Sequence, residues 1–268
     1  MTGISSRYEI RQLGPEHAQW ASAIVIHSNA FHSNIFTVIY PENRTARFNA
    51  AMEAAEYLIN HQIDSGLSFG IFDTEYRYRR DDSAAAQGKF HWDPEDDSLS
   101  GSEILERMDF PLVSVALAYD GFDKLDMNRL SPLIACLPAF GIIYHTLDKL
   151  DPRPSESWRN PAERNVLLMR NATSTRHEYE GQKLMSTLAR HLMRTAAAKG
   201  FKTANIECIA DRVSYVWANP PSPFRGEIVA QFETEDFEMT DEDGNRVNPL
   251  RPAKQRVTRV CTTFSEGA

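Results

Sequence analysis

The residues best suited to chemistry surround Gly181, which lies between an apolar run and a long amphipathic segment. Leu184, Leu188 and Leu192 repeat with a period of four and predict a helix that begins near this glycine. A helix N-terminus carries unpaired backbone N–H groups and a partial positive charge, so it can bind a pyrophosphate. A glycine there lets the backbone approach the anion without a Cβ in the way. We therefore expect an anion-binding cradle around residue 181.

The residues on either side of this cradle could hold an extended ligand and a reacting group. The strand predicted before it ends in Arg170-Asn171-Ala172-Thr173. Backbone groups left free at that end could pair with the amides of a pantetheine arm, as an added strand would. Glu207 lies on the next predicted strand and is a candidate general base for an ammonium substrate, directly or through a water. The alternative is a solvated or salt-bridged carboxylate.

The other elements, which must position these residues, predict a mixed α/β chain. Strands are predicted over 8–13, 68–79, 110–119, 165–173, 201–210, 227–232 and 256–264. Helices are predicted over 15–31, 45–62, 180–199 and 211–217, with one or two more over 128–150. We predict a single domain over residues 1–268, with insertions at about 80–107, 128–150 and 236–252, the first of them a mobile surface segment.

The motif around Gly181 resembles the central motif of the GNAT (GCN5-related N-acetyltransferase) superfamily. It is present as Val166 to Thr173, Arg176 to Leu184, the helix up to Lys199-Gly200-Phe201, and Ala204 to Glu207. The order of the predicted elements also agrees with that family. The resemblance implies a central, mostly antiparallel twisted sheet with helices on both faces, splayed between the two motif strands. The arm of an acyl-CoA co-substrate, acetyl-CoA or another, would enter that gap.

The resemblance also implies the residues that would bind the coenzyme. These are Asn171, Ala172, Thr173, Tyr179, Glu180, Gly181, Gln182, Lys183 and Leu184. The loop departs from the family pattern, because Glu178 takes the usual Gln/Arg place and Lys183 the second Gly/Ala place. The family often has a tyrosine in the helix after the Glu207 strand, where it protonates the departing thiolate. Tyr215 lies in that helix, although the family spacing falls closer to Trp217 or Ala218.

The implied reaction is direct transfer of an acetyl or similar acyl group to a primary amine of a small molecule. The apolar segment 128–150, which contains Phe140, Tyr144 and His145, is expected to roof the acceptor pocket. His27 and His32 could relay a proton near this pocket, or they could serve packing. Two alternatives stay open: a GNAT-like domain without transferase activity that binds a ligand or a partner, and another thioester reaction such as decarboxylation.

Composition and charge argue against other classes. The 268-residue chain has a net charge of −8, which disfavours nucleic acid as the main partner, because phosphate binding requires a basic face. Its first residues lack an apolar signal region and no apolar run is long enough to cross a bilayer, so we expect a cytoplasmic protein without a membrane partner. The three cysteines are too sparse for a disulfide framework or a zinc site, and no metal is expected. Asp241-x-Asp243-Gly244 is interpreted as a hairpin turn.

Overall fold

The computed structural model describes residues 4–159 and 161–264. Its strands are β1 (Tyr8–Gln12), β2 (Phe69–Asp73), β3 (Lys89–Phe90), β4 (Met108–Asp109), β5 (Leu112–Asp120), β6 (Leu167–Thr175), β7 (Thr203–Cys208), β8 (Arg225–Glu233), β9 (Met239–Thr240), β10 (Arg246–Val247) and β11 (Arg256–Thr263). Its α-helices are α1 (Ala18–His32), α2 (Phe36–Ile39), α3 (Arg44–Ala54), α4 (Glu56–Asp64), α5 (Asp81–Ala85), α6 (Gly101–Arg107), α7 (Met127–Cys136), α8 (Pro138–Leu150), α9 (Ser155–Trp158), α10 (Leu184–Ala198) and α11 (Asp211–Ala218).

Seven strands form one sheet in the order β1-β2-β5-β6-β7-β11-β8. Every neighbouring pair is antiparallel except β6 and β7, which run parallel. All nine residues of β5 are buried, because helices cover both faces of the sheet at its centre. α10 and α11 pack on one face, and α1, α3 and α4 pack on the other. The predicted fold class, a mixed α/β chain with a mostly antiparallel sheet and helices on both faces, is confirmed.

The helix of the central motif begins four residues later than its sequence pattern indicates. Gly181 has φ +80° and Lys183 has φ +61°, so both lie in the left-handed region and cannot belong to an α-helix. α10 therefore starts at Leu184, and its buried leucine stripe packs against the sheet as predicted. The prediction over 45–62 likewise covers two helices, α3 and α4, which meet at Ala55.

The segment 80–107 is more ordered than its polar composition indicates. It contains α5, β3 and α6, and its Phe90 and Ile104 side chains are buried against the α1 side of the core. The buried Asp109 carboxylate accepts the backbone N–H groups of Arg79 and Arg80 at 3.0–3.1 Å, which ties the start of the segment to β4. The segment that was predicted as a mobile surface insertion therefore has defined elements, anchored by two large apolar side chains and a buried carboxylate.

The other two insertions take the forms expected of them. Segment 128–150 forms α7 and α8, and Ala139, Ile143 and Leu147 of α8 are buried. Segment 236–252 contains the short β9–β10 hairpin, whose turn is closed by the Asp241 carboxylate and the Asn245 N–H at 2.7 Å. Among residues 4–159 and 161–264, no single helix is both long and apolar enough to cross a membrane; α7 and α8 pass that test only together, across a 119° bend.

Candidate active site

A cleft opens in the sheet where the two parallel strands part. β6 and β7 pair only as far as Arg170 and Ile206, after which β6 continues beside β5 and β7 continues beside β11. Asn171 is an extra residue in β6, a bulge opposite the Leu117–Ala118 step, and bulges bend the strand that carries them. The space between the parted strands is a cleft of about 610 Å³. The predicted splay of the sheet is therefore present.

Most of the residues predicted to bind the coenzyme line this cleft. They are Asn171, Ala172, Thr173, Tyr179, Glu180, Gly181, Lys183 and Leu184, and Glu207 lines the cleft with them. Gln182 is not part of the lining; its exposed side chain accepts a hydrogen bond from the Tyr8 hydroxyl. Tyr215 is also outside the lining and is 70% exposed, since it lies on the outer side of α11. The structure therefore separates Tyr215 from the other site residues.

The turn before α10 has the geometry of an anion cradle. A Cβ added at Gly181 would meet no atom within 4 Å, so the backbone there is open on the side that a side chain would occupy. Within the described chain, the backbone N–H groups of residues 181–186 have no hydrogen-bond acceptor, because they form the turn and the first turn of α10. Six free N–H groups at the positive end of a 15-residue helix can receive a pyrophosphate.

The two acidic residues of the loop, Glu178 and Glu180, are each paired with an arginine. Glu178 accepts two hydrogen bonds, at 2.6 and 2.9 Å, from the buried Arg176 guanidinium. Glu180 pairs at 3.0 Å with Arg212, which comes from α11 on the other side of the cleft. Arg212 is thus a cation beside the cleft whose guanidinium could bind a phosphate oxygen in place of the Glu180 carboxylate.

A buried carboxylate on β2 fixes the loop that carries the cradle. Asp73 accepts hydrogen bonds from the Arg7 guanidinium at 2.6 and 2.8 Å and from the Tyr179 hydroxyl at 3.0 Å. Burial alone would favour the neutral acid, but these hydrogen bonds outweigh it and hold the pKa of Asp73 below its ordinary value. The bond to Tyr179 therefore ties the cradle loop to the sheet through a charged acceptor.

We expect Asp73→Asn to lower the thermal midpoint at neutral pH and to remove part of its acid sensitivity. A carboxyl with a depressed folded pKa stabilises the fold above its unfolded pKa, near 4, and loses that effect as pH falls through the folded pKa. The difference in midpoint between wild type and D73N should be a few degrees at pH 7 and should shrink below about pH 4. Thermal unfolding from pH 7 to pH 3 measures it, with Glu9→Gln as the control because Glu9 forms an exposed pair on the neighbouring strand. An unchanged difference across this range would contradict the assignment.

Glu207 is a salt-bridged carboxylate that also lines the cleft. Its Oε1 accepts hydrogen bonds from Asn205 at 3.0 Å and from the buried Arg259 at 3.1 Å, so the carboxylate is salt-bridged. Within the described chain, its Oε2 has no hydrogen-bond partner, and the residue lines the cleft just beyond the last β6–β7 pair. One oxygen thus orients the group while the other is free to accept a proton.

The wall of the cleft near Glu207 is aromatic. Phe140 and Tyr144 of α8 line it, with ring centroids 6.1 Å apart, and Phe140 packs on Phe36 at 4.4 Å. Burial and the Glu207 carboxylate raise the pKa of Tyr144 above its ordinary value, so its phenol is neutral. His145, named with these two residues in the sequence, is exposed and outside the lining.

The two histidines of α1 have different positions. His27 is buried, its Nε2 lies 2.7 Å from the Gly101 carbonyl, and burial lowers its pKa to about 4, so it is a neutral packing residue. His32 lines the cleft and stacks on His177, with ring centroids 4.1 Å apart. Burial and the neighbouring His177 lower the pKa of His32.

Two buried polar atoms at the cleft have no hydrogen-bond partner among the described residues and could bind an extended polar ligand. Thr173 Oγ1 and Arg170 Nε are buried and have no hydrogen-bond partner in the described chain, and both residues line the cleft. Buried polar groups are seldom left unpaired unless a ligand or water completes them. The free edges of β6 and β7 add unpaired strand backbone, as a pantetheine arm requires. Sequence reasoning did not single out the Arg170 and Arg212 side chains, because neither position belongs to the pattern that marks the cradle.

Comparison with known proteins identifies the fold. No protein-family model matches the chain, and no curated protein matches it by sequence. The structure of the C-terminal condensation domain of Ebony in complex with β-alanyl-dopamine is similar, with a TM-score of 0.61, 15% identity, and coverage of 95% of this chain and 97% of that one. Arylalkylamine N-acetyltransferase 2 from Aedes aegypti is similar with a TM-score of 0.56 and 9% identity, over 97% and 100% of the two chains. The chain therefore has the GNAT fold in a divergent form.

Proposed function

We propose that this protein is an acyl-CoA-dependent N-acyltransferase that transfers an acyl group, first of all acetyl, directly to the primary amine of a small molecule. The observation that carries the proposal is one continuous cleft with a free anion cradle at residues 181–186 and a carboxylate, Glu207, among its lining residues. The GNAT fold places a coenzyme A thioester in such a gap, and the thioester supplies an activated acyl carbon.

The chain's own residues would divide the work of binding and positioning. The N–H groups of the cradle and Arg212 hold the diphosphate, and the free edge of β6 from Asn171 to Thr173 pairs with the pantetheine amides. Glu207 Oε2 accepts the proton that an ammonium acceptor must lose before it can attack. Holding two substrates in line contributes a large part of the rate in such a transfer.

The acceptor side of the cleft supports a compact aromatic amine. Phe140 and Tyr144 give it flat apolar walls, and Glu207 supplies the negative charge that attracts an ammonium group. Both similar structures concern such molecules by name, since β-alanyl-dopamine is an amide of an arylalkylamine and the Aedes aegypti enzyme is an arylalkylamine N-acetyltransferase. We therefore propose an arylalkylamine as the acceptor class.

The experiment is a free-thiol release assay with acetyl-CoA and three kinds of acceptor, with the amide product identified by mass spectrometry. The three are a phenylethylamine-type compound, a linear polyamine and a basic peptide. We expect the arylalkylamine to be acetylated with the highest kcat/KM. Fastest turnover of the basic peptide would contradict the aromatic acceptor, and absence of thiol release with every amine would contradict the transferase.

The exposed position of Tyr215 favours a second candidate, a GNAT-like module that binds an acyl-CoA or a partner without turnover. No tyrosine of α11 reaches the cleft in the described chain, so the proton donor that the family often uses is missing there. Tight binding of acetyl-CoA without thiol release from any acceptor would support this candidate. Binding at 100 times the dissociation constant should stabilise the fold by about 2.7 kcal/mol.

A further inference from the structure

Arg170 is a buried cation at the vertex of the cleft, the point where β6 and β7 part. It is the last residue of β6 that pairs with β7, it is one of the residues that line the cleft, and it is only 4% exposed. Its Nη2 is 3.4 Å from the Glu207 carbonyl oxygen and 3.8 Å from Cys208 Sγ, and its Cζ is 5.7 Å from the centre of the Trp217 ring. Within the described chain, Nε has no hydrogen-bond partner and no carboxylate oxygen lies within 4 Å of the guanidinium.

This isolation distinguishes Arg170 from the other buried arginines. Arg176 is paired with Glu178, and Arg259 is paired with Glu207 and two aspartates. A buried guanidinium without a counter-ion is costly, because its desolvation is not offset by a carboxylate. Such a group in a cleft, next to the carboxylate proposed as the base, points to an anion that is present during the reaction.

The position of Arg170 limits which anion this can be. The cradle at 181–186 receives the diphosphate at the far end of the cleft, whereas Arg170 lies where the strands meet. Its guanidinium contacts Cys208 and Trp217 on the α10–α11 face, and the Glu207 carboxylate contacts Arg259 on the α8 face. The Glu207 carboxylate and the Arg170 guanidinium thus lie on opposite faces of the sheet at this vertex. Burial raises the pKa of Cys208 to about 11, so this neighbour is a neutral thiol and not the anion.

We propose that Arg170 is a catalytic residue that stabilises the coenzyme A thiolate as it leaves, since the tyrosine of α11, Tyr215, lies outside the cleft. The inference rests on the proposed acyl transfer. The amine nitrogen forms a bond to the carbonyl carbon, the carbon–sulfur bond breaks, and its electron pair leaves on sulfur. The ammonium proton passes to Glu207 or water, and the released thiolate takes a proton from solvent. The thioester is neutral, so the cation interacts more strongly with the departing sulfur than with the substrate, which is the condition for acceleration.

The test compares coenzyme A with desulfo-coenzyme A, which differs only at the thiol. Dissociation constants are measured by calorimetry for wild type, Arg170→Met, Arg170→Lys and a control, Arg190→Met, whose arginine is exposed on α10. The pKa of the bound thiol is followed by the ultraviolet absorbance of its thiolate. Wild type should lower that pKa by roughly 1 to 3. R170M should abolish this shift and bind desulfo-coenzyme A as wild type does, R170K should retain part of it, and R190M should not differ from wild type.

Turnover gives an independent readout. R170M should reduce kcat by roughly 10²- to 10³-fold, as loss of one preorganised donor does, with little change in KM for acetyl-CoA. An unshifted thiol pKa in wild type, or the same shift in R170M, would overturn the role of Arg170 while coenzyme binding stands. If R170M does not fold, R170K decides: a thiol pKa equal to that of free coenzyme A overturns the role. If wild type binds neither coenzyme, this inference fails together with the proposed function.

Discussion

Glu207→Gln is expected to lower kcat/KM for amine acetylation by roughly 10²- to 10⁴-fold, the usual contribution of a positioned general base. The amide can still accept hydrogen bonds from Asn205 and Arg259 at Oε1, so the side chain keeps its place, but it cannot take a proton from the acceptor. Steady-state thiol release with acetyl-CoA and the preferred amine measures the loss, and KM for acetyl-CoA should change little.

The matched control for this variant is Asp151→Asn. Asp151 is buried and pairs with the same Arg259 guanidinium at 3.3 Å, but it does not line the cleft. D151N should therefore lose stability as E207Q does and keep its kcat/KM within a few-fold of wild type. A kcat/KM of E207Q within threefold of wild type, or equal losses in the two variants, would show that the carboxylate is structural only.

Arg259→Met is expected to give the largest loss of stability, about 3–5 kcal/mol, because it leaves the buried Glu207 carboxylate without a cation, whereas Asp151 and Asp148 keep their ion pairs with Arg153 and Arg159. Arg259 is 1% exposed and contacts Glu207 at 3.1 Å, Asp148 at 2.6 Å and Asp151 at 3.3 Å. Methionine fills a similar volume, so uncompensated negative charge dominates the effect. The thermal midpoint should fall by roughly 10 °C for a chain of this size.

Arg256→Met on the same strand is the control for that variant. Arg256 is 44% exposed at its side chain and pairs with Asp211 at 3.3 Å, so its removal should cost no more than about 1 kcal/mol. Thermal and denaturant unfolding of both variants measure the difference. Equal stability of R259M and R256M would contradict the view that Arg259 holds the carboxylates around the acceptor side of the cleft.

The sequence predicted the fold well where local pattern and burial agree. The leucine stripe of α10, the apolar run of β5 and the terminal strands β8 and β11 all lie near their predicted positions, because their periodicity follows directly from the surface that they bury. The predicted start of α10 was four residues too early. Lysine usually favours helices, so its residue type gave no sign of the left-handed conformation that Lys183 adopts in the fold.

The site was predictable only in part, for a similar reason. A glycine before an amphipathic helix marks a cradle from sequence alone, and Glu207 follows from its strand. The cation that pairs with Glu207, however, is Arg259 of β11, 52 residues away along the chain. The isolation of Arg170 depends on which carboxylates the fold keeps away from it, and no spacing in the sequence encodes that. The exposed position of Tyr215 could not be predicted, because the rotation of α11 about its axis decides which side chain faces the cleft.

The proposed acyl transfer requires that the backbone N–H groups at 181–186 hold the diphosphate of a coenzyme A, and one pair of variants isolates that contact. Gly181 and Gly244 both have positive φ, +80° and +84°, and both have open space where a Cβ would lie. Valine at either position should introduce similar backbone strain, roughly 1–2 kcal/mol, but only residue 181 faces the cleft. The measurement is the calorimetric dissociation constant of coenzyme A for wild type, Gly181→Val and Gly244→Val. We predict that G181V weakens binding by about tenfold or more, equivalent to 1.4 kcal/mol, and that G244V matches wild type. Wild-type affinity in G181V, or no binding by the wild type, would contradict the account.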